Sequence, residues 1–259
     1  MLAAERRHVI TERIQATGQV VVSALSAEFE VSEETIRRDL EWLEKKGIAT
    51  RIYGGAVLSG SDASAPPYAV RKNTNIDHKV SIARYLAQLL QDGDTLRVDE
   101  SSTAAYAVRA VRHLRNITLI TNSLELAREM NGQEGWRIIS TGGSLKPELL
   151  ALVGPHALRT VRSYHVQYAL LSCRGINKQL GLADSDDEVV QIKQAMIASS
   201  DCAIVLADHR KFDRPGFVAL GDLSLVDKLI TDREPPDGWR KLLETNGVEL
   251  ICTEQTPGK

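Results

Sequence analysis

The sequence predicts an α/β protein in two parts, a small mainly helical N-terminal domain and a larger domain built on a parallel sheet. Between residues 95 and 232, short β-rich runs alternate with helical segments, the pattern of parallel strands joined by helical crossovers. Residues 59–77 contain many small residues and the pair Pro66-Pro67, a composition typical of a linker. A chain of 259 residues is long enough for two domains of this kind.

Composition excludes several classes of protein. The chain is 43% hydrophobic and 25% charged, as in ordinary globular proteins, and 18 apolar residues never run together, so we expect no membrane span. The N-terminus lacks the apolar stretch of a secretory signal. Cys173, Cys202 and Cys252 are far apart and lack metal-like spacing. We therefore expect reduced thiols, a cytoplasmic location, no cofactor and no metal site.

The first 31 residues predict a helix, a strand and a second helix. Residues 3–17 carry apolar side chains at a helical period. The β-branched run Val20–Val22 fits one short strand. Residues 24–29 place Leu25 and Phe29 one helical turn apart, which predicts the second helix.

Residues 32–46 predict an amphipathic helix. Three apolar residues fall on one side at i, i+4 and i+7, namely Ile36, Leu40 and Leu43. Ser32 can cap the N-terminus, and Arg37 and Arg38 lie away from the apolar side. A guanidinium group can bind a phosphate or the O6 and N7 atoms of guanine, so this helix is a candidate for DNA recognition. The alternative is an ordinary surface helix with a solvated charged face.

Residues 48–58 predict two short strands around Gly54-Gly55. The order helix, strand, helix, turn, helix, hairpin is that of a winged helix-turn-helix, here assigned to residues 1–58, with the hairpin as the wing. Residues 1–57 contain eight Lys or Arg and nine Asp or Glu, a net charge of −1. DNA binding would therefore depend on a local cationic face and on the pairing of heads in an oligomer.

This segment resembles the helix-turn-helix signature of the DeoR family of bacterial transcriptional regulators. The resemblance is carried by Arg6, Ile10, Ile14, Ser32, Thr35, Ile36, Arg37, Arg38, Asp39 and Leu40. It implies that Thr35, Arg37 and Arg38 lie at the DNA surface, and that the phosphate backbone passes near Arg51, Tyr53 and Gly54.

The position of each residue on the helix refines this expectation. Residues at the start of a recognition helix reach base edges, which favours Ser32, Thr35 and Arg38. Arg37 lies on the flank, where it can contact phosphate or pair with a glutamate one turn away. We expect Asp39 to be the structural partner of an arginine, and Trp42 to be a half-buried packing residue.

The larger domain is predicted over residues 78–253, with residues 254–259 as a disordered tail. Its predicted strands lie at residues 95–98, 117–120, 137–140, 168–171, 203–206 and 226–230. Ligands of such sheets bind beyond the carboxyl ends of the strands, and small polar residues follow three of these ends, in the loops Asp99–Thr103, Thr121–Ser123 and Gly142–Ser144. These loops can cradle an anion such as phosphate, or each can simply cap its own helix.

The larger domain is similar to the DeoR effector domain, which itself resembles ribose-5-phosphate isomerase and glucosamine-6-phosphate deaminase. This resemblance implies a phosphorylated sugar or sugar alcohol as ligand. The loops expected to hold its phosphate contain Ser101, Ser102, Thr103, Asn122, Ser123, Gly142, Gly143 and Ser144. The residues expected to face the sugar or line the cavity are Asp99, Glu188, Lys193, Asp208 and Lys211. Glu100 and Ala104 depart from the family pattern, and the Ser101-Ser102-Thr103 form resembles the fucose-operon branch.

Three functions are compatible with these patterns. The first is a regulator, most simply a repressor, that binds double-stranded operator DNA as a homo-oligomer, dimer or tetramer, under the control of a sugar phosphate and without membrane attachment. The second is a sugar-phosphate isomerase or deaminase with an appended winged helix, although no set of nucleophile, base and orienting group is legible and we expect no catalytic residue. The third is a protein-interaction adaptor, since the head has no net positive charge.

Overall fold

The computed structural model describes residues 3–17, 19–46, 48–52, 54–58, 65–214 and 216–255. The chain forms two compact units, Met1–Pro67 and Tyr68–Lys259. In the ranges described, no helix combines the length and the apolar character needed to cross a membrane.

The described part of the N-terminal unit contains three helices and one small antiparallel sheet. The helices are α1 (Ala3–Thr17), α2 (Val22–Phe29) and α3 (Glu33–Lys45). The strands are β1 (Gln19–Val21), β2 (Ala49–Ile52) and β3 (Gly55–Leu58), in the order β1-β3-β2. This order confirms the predicted winged helix-turn-helix, in which α2 and α3 form the helix-turn-helix and β2-β3 the wing.

The core of this unit explains why α3 takes its orientation. Ile36, Leu40 and Leu43 are fully buried against apolar residues of α1 and α2. The turn between α2 and α3 reverses at Glu30, which adopts a left-handed conformation with φ of 53°. The apolar side of α3 therefore faces the core, and its charged side faces solvent.

The described part of the C-terminal unit is built around one large sheet of seven strands. Its large sheet contains β4 (Thr95–Val98), β5 (Ile117–Thr121), β6 (Trp136–Ser140), β9 (Val166–Leu171), β12 (Ser200–Leu206), β14 (Lys228–Thr231) and β15 (Glu249–Cys252). All neighbouring strands are parallel, in the order β15-β14-β12-β9-β4-β5-β6. This confirms the predicted parallel α/β domain. Its helices are α4 (Tyr68–Asn73), α5 (Ile76–Leu86), α6 (Ser102–Ala110), α7 (Leu124–Glu129), α8 (Gly154–Arg162), α9 (Asp187–Ala198) and α10 (Trp239–Thr245).

The strand order reverses between β4 and β9. From β4 the chain moves outward through β5 to β6, and then returns to place β9 on the other side of β4. Loops on the two sides of such a switch point diverge and leave a crevice at the carboxyl ends of the strands, where ligands of open α/β sheets bind. A ligand of this unit is therefore expected to bind beside the residues that follow β4 and β9.

Two small antiparallel sheets were not foreseen from the sequence. One pairs β7 (Ser144–Lys146) with β8 (Ala151–Val153), and the other has the order β10-β11-β13. Its strands are β10 (Gly175–Asn177), β11 (Gly181–Asp184) and β13 (Val218–Gly221). Strands of three or four residues are too short to show a clear alternation of apolar and polar side chains. Helix α4 and the first residues of α5 lie in the segment 59–77 that the sequence assigned to the linker, and buried Tyr68 packs there.

Candidate functional site

The N-terminus of α3 presents two hydroxyl groups to solvent. Ser32 is the N-cap, and its Oγ accepts a hydrogen bond from the backbone N–H of Thr35 at 3.2 Å. The same Oγ lies 2.9 Å from Thr35 Oγ1. Ser32 is exposed and Thr35 is half-buried, at the end of the helix from which a recognition helix reaches base edges.

The arginines of α3 are paired with glutamates of the preceding turn. Arg37 donates to Glu33 Oε2 at 2.6 Å, and Arg38 Nε lies 3.4 Å from Glu34 Oε1. The side chain of Arg38 is 75% exposed, against 55% for Arg37, and its ion pair is the longer one. Arg38 is therefore the more available of the two for an external acceptor.

The wing carries a third paired arginine. Arg51 on β2 donates through Nε to Glu44 Oε2 at 2.7 Å, and its backbone N–H donates to the other carboxylate oxygen at 2.9 Å. These hydrogen bonds hold the pKa of Glu44 below its ordinary value. Gly54 forms the turn of the wing with a φ of +80°, while Tyr53, which the sequence placed near DNA, lies outside the described residues.

Asp39 points into the unit, away from the exposed side of α3. Its carboxylate is buried and accepts hydrogen bonds from Arg6 Nε at 2.5 Å and Arg7 Nε at 2.7 Å. This confirms the prediction that Asp39 is a structural partner of arginine. Trp42 is 39% exposed, and the Arg7 guanidinium lies 5.0 Å from its ring centroid.

In the C-terminal unit, Asp99 joins the two sides of the switch point. It follows β4, is fully buried, and accepts hydrogen bonds from the backbone N–H groups of Ser101 at 3.0 Å and Ser172 at 2.9 Å. Because Ser172 follows β9, the carboxylate fixes the two diverging loops relative to each other.

A buried lysine lies beside Asp99. Lys193 on α9 donates to Asp184 Oδ2 at 2.6 Å and to the carbonyl oxygen of Ser172 at 2.8 Å. Its Nζ also lies 3.1 Å from Asp99 Oδ2 and 3.2 Å from Glu100 Oε1. We refer to Lys193, Asp99, Glu100 and Asp184 as the Lys193 cluster.

Burial and electrostatic attraction shift the pKa values of the Lys193 cluster in opposite directions. Burial raises the pKa of Glu100 above its ordinary value, because loss of hydration outweighs the attraction of Lys193. Burial also acts to raise the pKa of Asp184, but the ammonium group outweighs it and lowers that pKa. The carboxylates likewise overcome burial and raise the pKa of Lys193 well above its ordinary value. Burial therefore shifts the pKa of Glu100 upward, whereas Lys193 shifts that of Asp184 downward.

The predicted hydroxyl groups divide into two sets. Ser101 and Ser123 are N-caps, and their Oγ atoms accept hydrogen bonds from backbone N–H groups of α6 and α7, each at 3.1 Å. Ser102 instead donates to the carbonyl oxygen of Arg71 at 3.1 Å, and Thr103 is buried beside it. The capping alternative thus holds for the hydroxyl groups of Ser101 and Ser123.

Asn122 is buried next to the Lys193 cluster. Its Nδ2 lies 3.3 Å from Glu100 Oε2, while its Oδ1 is buried and has no hydrogen-bond partner among the described residues. A buried acceptor of this kind is costly unless a ligand or water donates to it. Asn122 can therefore accept a hydrogen bond from a ligand hydroxyl.

The predicted glycine loop is exposed. Gly142, Gly143 and Ser144 all face solvent between β6 and β7. Gly143 has a φ of +107°, and a Cβ atom there would lie 2.4 Å from the carbonyl oxygen of Val153, so only glycine fits. A Cβ atom on Gly154 would lie 3.8 Å from Ser144 Oγ and 3.9 Å from Glu188 Oε1, which places these two side chains near each other.

A second group of charged residues lies at the carboxyl ends of β9 and β12. Lys211 donates to the carbonyl oxygen of Cys173 at 2.9 Å, and Asp208 accepts from Arg210 Nε at 3.0 Å. Buried Lys79 donates to the carbonyl oxygens of Thr74, at 2.7 Å, and Arg71. Burial, with repulsion from nearby Lys211, lowers the pKa of Lys79 to about 7.

Sequence reasoning left several of these residues out of the predicted site. Lys79 was not among the predicted site residues, Glu100 was expected only as a departure from the family pattern, and Asp184 lies on a strand that was not foreseen. Arg71, whose charge lies near both Glu100 and Lys79, belongs to the segment assigned to the linker. A lone cation eight residues before Lys79 carries no spacing signal of its own.

Comparison with known proteins identifies matches to both units. The family model for the DeoR-like helix-turn-helix domain matches residues 6–62, and that for the DeoR C terminal sensor domain matches residues 74–233. The chain is 34% identical to the HTH-type transcriptional repressor GlcR of Bacillus subtilis, over 100% of both chains. It is 31% identical to the glycerol-3-phosphate regulon repressor of Escherichia coli, over 97% of this chain and 100% of that protein.

Among solved structures, ribose 5-phosphate isomerase A of Methanocaldococcus jannaschii matches 54% of this chain and 55% of that chain. The TM-score is 0.40 and the sequence identity is 18%.

Proposed function

Because this chain belongs to the DeoR family of transcriptional regulators, we propose that it represses a sugar-catabolic operon until a phosphorylated sugar or sugar alcohol binds its C-terminal unit. One observation carries the proposal. An exposed helix with arginines and hydroxyl groups occurs in the same chain as a buried polar site at the switch point of a parallel sheet. The first feature suits a nucleic acid, and the second suits a small polar ligand.

On the DNA, the N-terminal half of α3 reads bases. Ser32, Thr35 and Arg38 are the proposed base readers, because they lie near the start of the helix, where Ser32 and Arg38 are exposed and Thr35 is half-buried. Arg37 and Arg51 are the proposed phosphate contacts, together with Gly54 and its neighbour Tyr53 in the wing. Each arginine must exchange a glutamate for a DNA acceptor, which limits the net gain of each contact.

In the C-terminal unit, the phosphate of the effector binds near the cations and the sugar binds near the carboxylates. Lys79 and Lys211 lie close enough for their charges to repel, and a phosphate dianion relieves this repulsion. Ser102 and Thr103, buried on the first turn of α6, supply hydroxyl groups on the same side. Asn122 and Asp208 accept hydrogen bonds from sugar hydroxyl groups.

Other predicted residues hold the site in place. Ser101 and Ser123 act through the caps of their helices, and Lys193 fixes Asp99 and Asp184. The exposed set of Gly142, Gly143, Ser144 and Glu188 borders the site at the end of β6, where it can contact the outer part of a ligand.

The proposed regulation is a linkage between two binding events. An effector shifts DNA affinity only if it binds one arrangement of the protein more tightly than the other. For a 100-fold change in operator affinity, the binding free energies of the effector for the two arrangements must differ by about 2.7 kcal/mol. We further propose that the protein acts in the cytoplasm as a homo-oligomer, a dimer or a tetramer, because a head with a net charge of −1 needs a second head to bind DNA tightly.

One feature also suits an enzyme. Burial raises the pKa of Glu100, which lies in a cluster with two other carboxylates and a lysine, an arrangement that can transfer protons. Both named relatives are repressors, and we propose that the cluster serves binding alone. Turnover of a sugar phosphate by the purified chain, lost in Glu100→Gln, would favour the enzyme instead.

The test begins with the operator. Selection of bound duplexes from a random library should enrich one sequence, and fluorescence anisotropy should then show that one class of phosphorylated sugar or sugar alcohol releases it. The matching free sugars should have no effect. Absence of an enriched sequence would contradict the DNA-binding assignment, and phosphates that bind without changing operator affinity would contradict the linkage.

A matched pair of variants tests the effector site. Lys79→Met removes a buried ammonium group, whereas Lys72→Met removes a lysine of the same region that pairs with Glu125 at 3.0 Å. We expect the first variant to keep operator binding and to lose the thermal shift given by the active phosphate, and the second to keep both. An equal loss in the two variants would place the phosphate elsewhere.

A further inference from the structure

Two histidines from different elements converge on one carboxylate. His78 lies on α5, His209 begins the 3₁₀ helix His209–Lys211, and Asp232 directly follows β14. The Nδ1 atoms of His78 and His209 lie 2.7 Å and 2.8 Å from the same oxygen, Asp232 Oδ2. The imidazole rings meet edge to face, with centroids 5.2 Å apart.

We propose that His78, His209 and Asp232 form a binding site for a divalent first-row transition metal ion such as Zn²⁺. Two imidazole nitrogens and one carboxylate oxygen are a ligand set that zinc accepts, with water in the fourth position. In a tetrahedral site with bonds of about 2.0–2.2 Å, the ligand atoms lie roughly 3.3 Å apart. Each histidine therefore needs to separate from Asp232 by only about half an ångström to admit the ion, and all three ligand atoms already lie within 4.8 Å of one another.

The surroundings keep these ligands in place without a metal. The backbone N–H of His209 donates to Asp232 Oδ1 at 2.7 Å, which leaves Oδ2 to face the two imidazoles. The start of α5 is tied to the C-terminal segment by a 2.5 Å hydrogen bond between Ser81 and Thr253. Ligands held in this way lose little conformational freedom when the ion binds.

Charge and access also suit an ion. The carboxylate is only 3% exposed, whereas the His78 and His209 side chains are 25% and 26% exposed, so the site is reached from the histidine side. The Nε atom of Arg233 lies 3.8 Å from Asp232 Oδ2, but it is closer to Glu254, at 2.9 Å. In the metal-free protein, Glu254 therefore balances part of the positive charge of Arg233.

The proposed site adjoins the effector site, because His209 follows Asp208 directly and shares a 3₁₀ helix with Lys211. A bound ion would fix this helix to α5, which carries Lys79. The metal therefore holds together two elements that carry proposed effector-binding residues.

The test uses the full chain, freed of metal by a chelator, with Zn²⁺ and Co²⁺ as probes. We expect one equivalent of Zn²⁺ per chain by calorimetry, with a thermal midpoint raised by roughly 5–10 °C at about 100 times the dissociation constant. His78→Gln and His209→Gln should each weaken binding by at least about 100-fold. The matched control is His8→Gln, which removes an exposed histidine 3.5 Å from Glu12, a possible surface chelate.

Three results would overturn the proposal. They are no binding at up to about 1 mM Zn²⁺, binding that survives in both His78→Gln and His209→Gln, or binding that is lost in His8→Gln. Should a variant fail to fold, as judged by circular dichroism, Co²⁺ absorption of the unaltered chain decides. Bands typical of nitrogen and oxygen ligands support the site, and a thiolate-to-cobalt band would assign the metal to a cysteine instead.

Discussion

Replacement of Arg38 by alanine is the sharpest test of the DNA-binding surface. The exposed pair of Arg38 with Glu34, at 3.4 Å, contributes only about 0.3–0.5 kcal/mol to helix stability, so the fold should be almost unchanged. A bidentate hydrogen-bonded contact between arginine and guanine contributes about 1–3 kcal/mol to binding of the correct base. After subtraction of the glutamate pair that DNA must displace, the expected loss is about 0.5–2.5 kcal/mol, or roughly 2- to 70-fold, per head. Two independent heads square that factor, to roughly 5- to 5,000-fold.

Fluorescence anisotropy at several salt concentrations measures this loss and identifies its origin. If Arg38 reads a base, its loss lowers affinity and relaxes sequence preference while the salt dependence stays the same. If it contacts phosphate, the magnitude of the slope of log affinity against log salt decreases by about 0.9 for each bound head. Arg112→Ala is the matched control, because it removes the same charge from a residue of the C-terminal unit that pairs with Glu129 at 3.0 Å. Operator affinity equal to that of the control would refute the assignment of Arg38 to the DNA surface.

Three further predictions concern buried groups. Because the native pKa of Lys79 is about 7, the unfolded state binds more protons between pH 7 and about 10, so stability should rise with pH across that interval. A phosphate that contacts Lys79 should raise this pKa, and calorimetry at about pH 8 in buffers of different ionisation enthalpy should show uptake of close to one proton per ligand, absent in Lys79→Met. Glu100→Gln should lower the free energy of unfolding less than Asp184→Asn, since burial already disfavours the charged form of Glu100, whereas Asp184→Asn should lower it by roughly 3 kcal/mol because it removes a carboxylate that lies 2.6 Å from the buried lysine. Denaturant unfolding measures both, and equal effects would contradict the opposite directions of the two pKa shifts. Gly55→Ala places a Cβ atom 2.1 Å from the carbonyl oxygen of Val20, so operator binding should be lost while the ligand-induced thermal shift of the C-terminal unit is kept.

The sequence predicted what depends on short-range periodicity. The spacing of Ile36, Leu40 and Leu43 indicated the buried side of α3, and the alternation of strands and helices indicated the parallel sheet. The partners of Lys193 could not be predicted in the same way, because they come from two other strands and one of these belongs to an unforeseen small sheet. For the same reason no spacing rule could reveal the convergence of His78 on Asp232, which are more than 150 residues apart.

Tertiary contacts of this kind also determine how effector binding can change the structure outside the effector site. Lys79 donates to the carbonyl oxygens of Arg71 and Thr74, and Ser102 donates to that of Arg71 as well. These carbonyls lie at the end of α4, the first helix after the segment that connects the two units. The ammonium group of Lys79 has a third N–H for an anion, but Ser102 has a single O–H, so an anion that accepts from Ser102 competes with the carbonyl oxygen of Arg71. An effector that draws this donor away weakens one contact of α4, and such a difference in contacts is what a linkage between ligand and DNA requires.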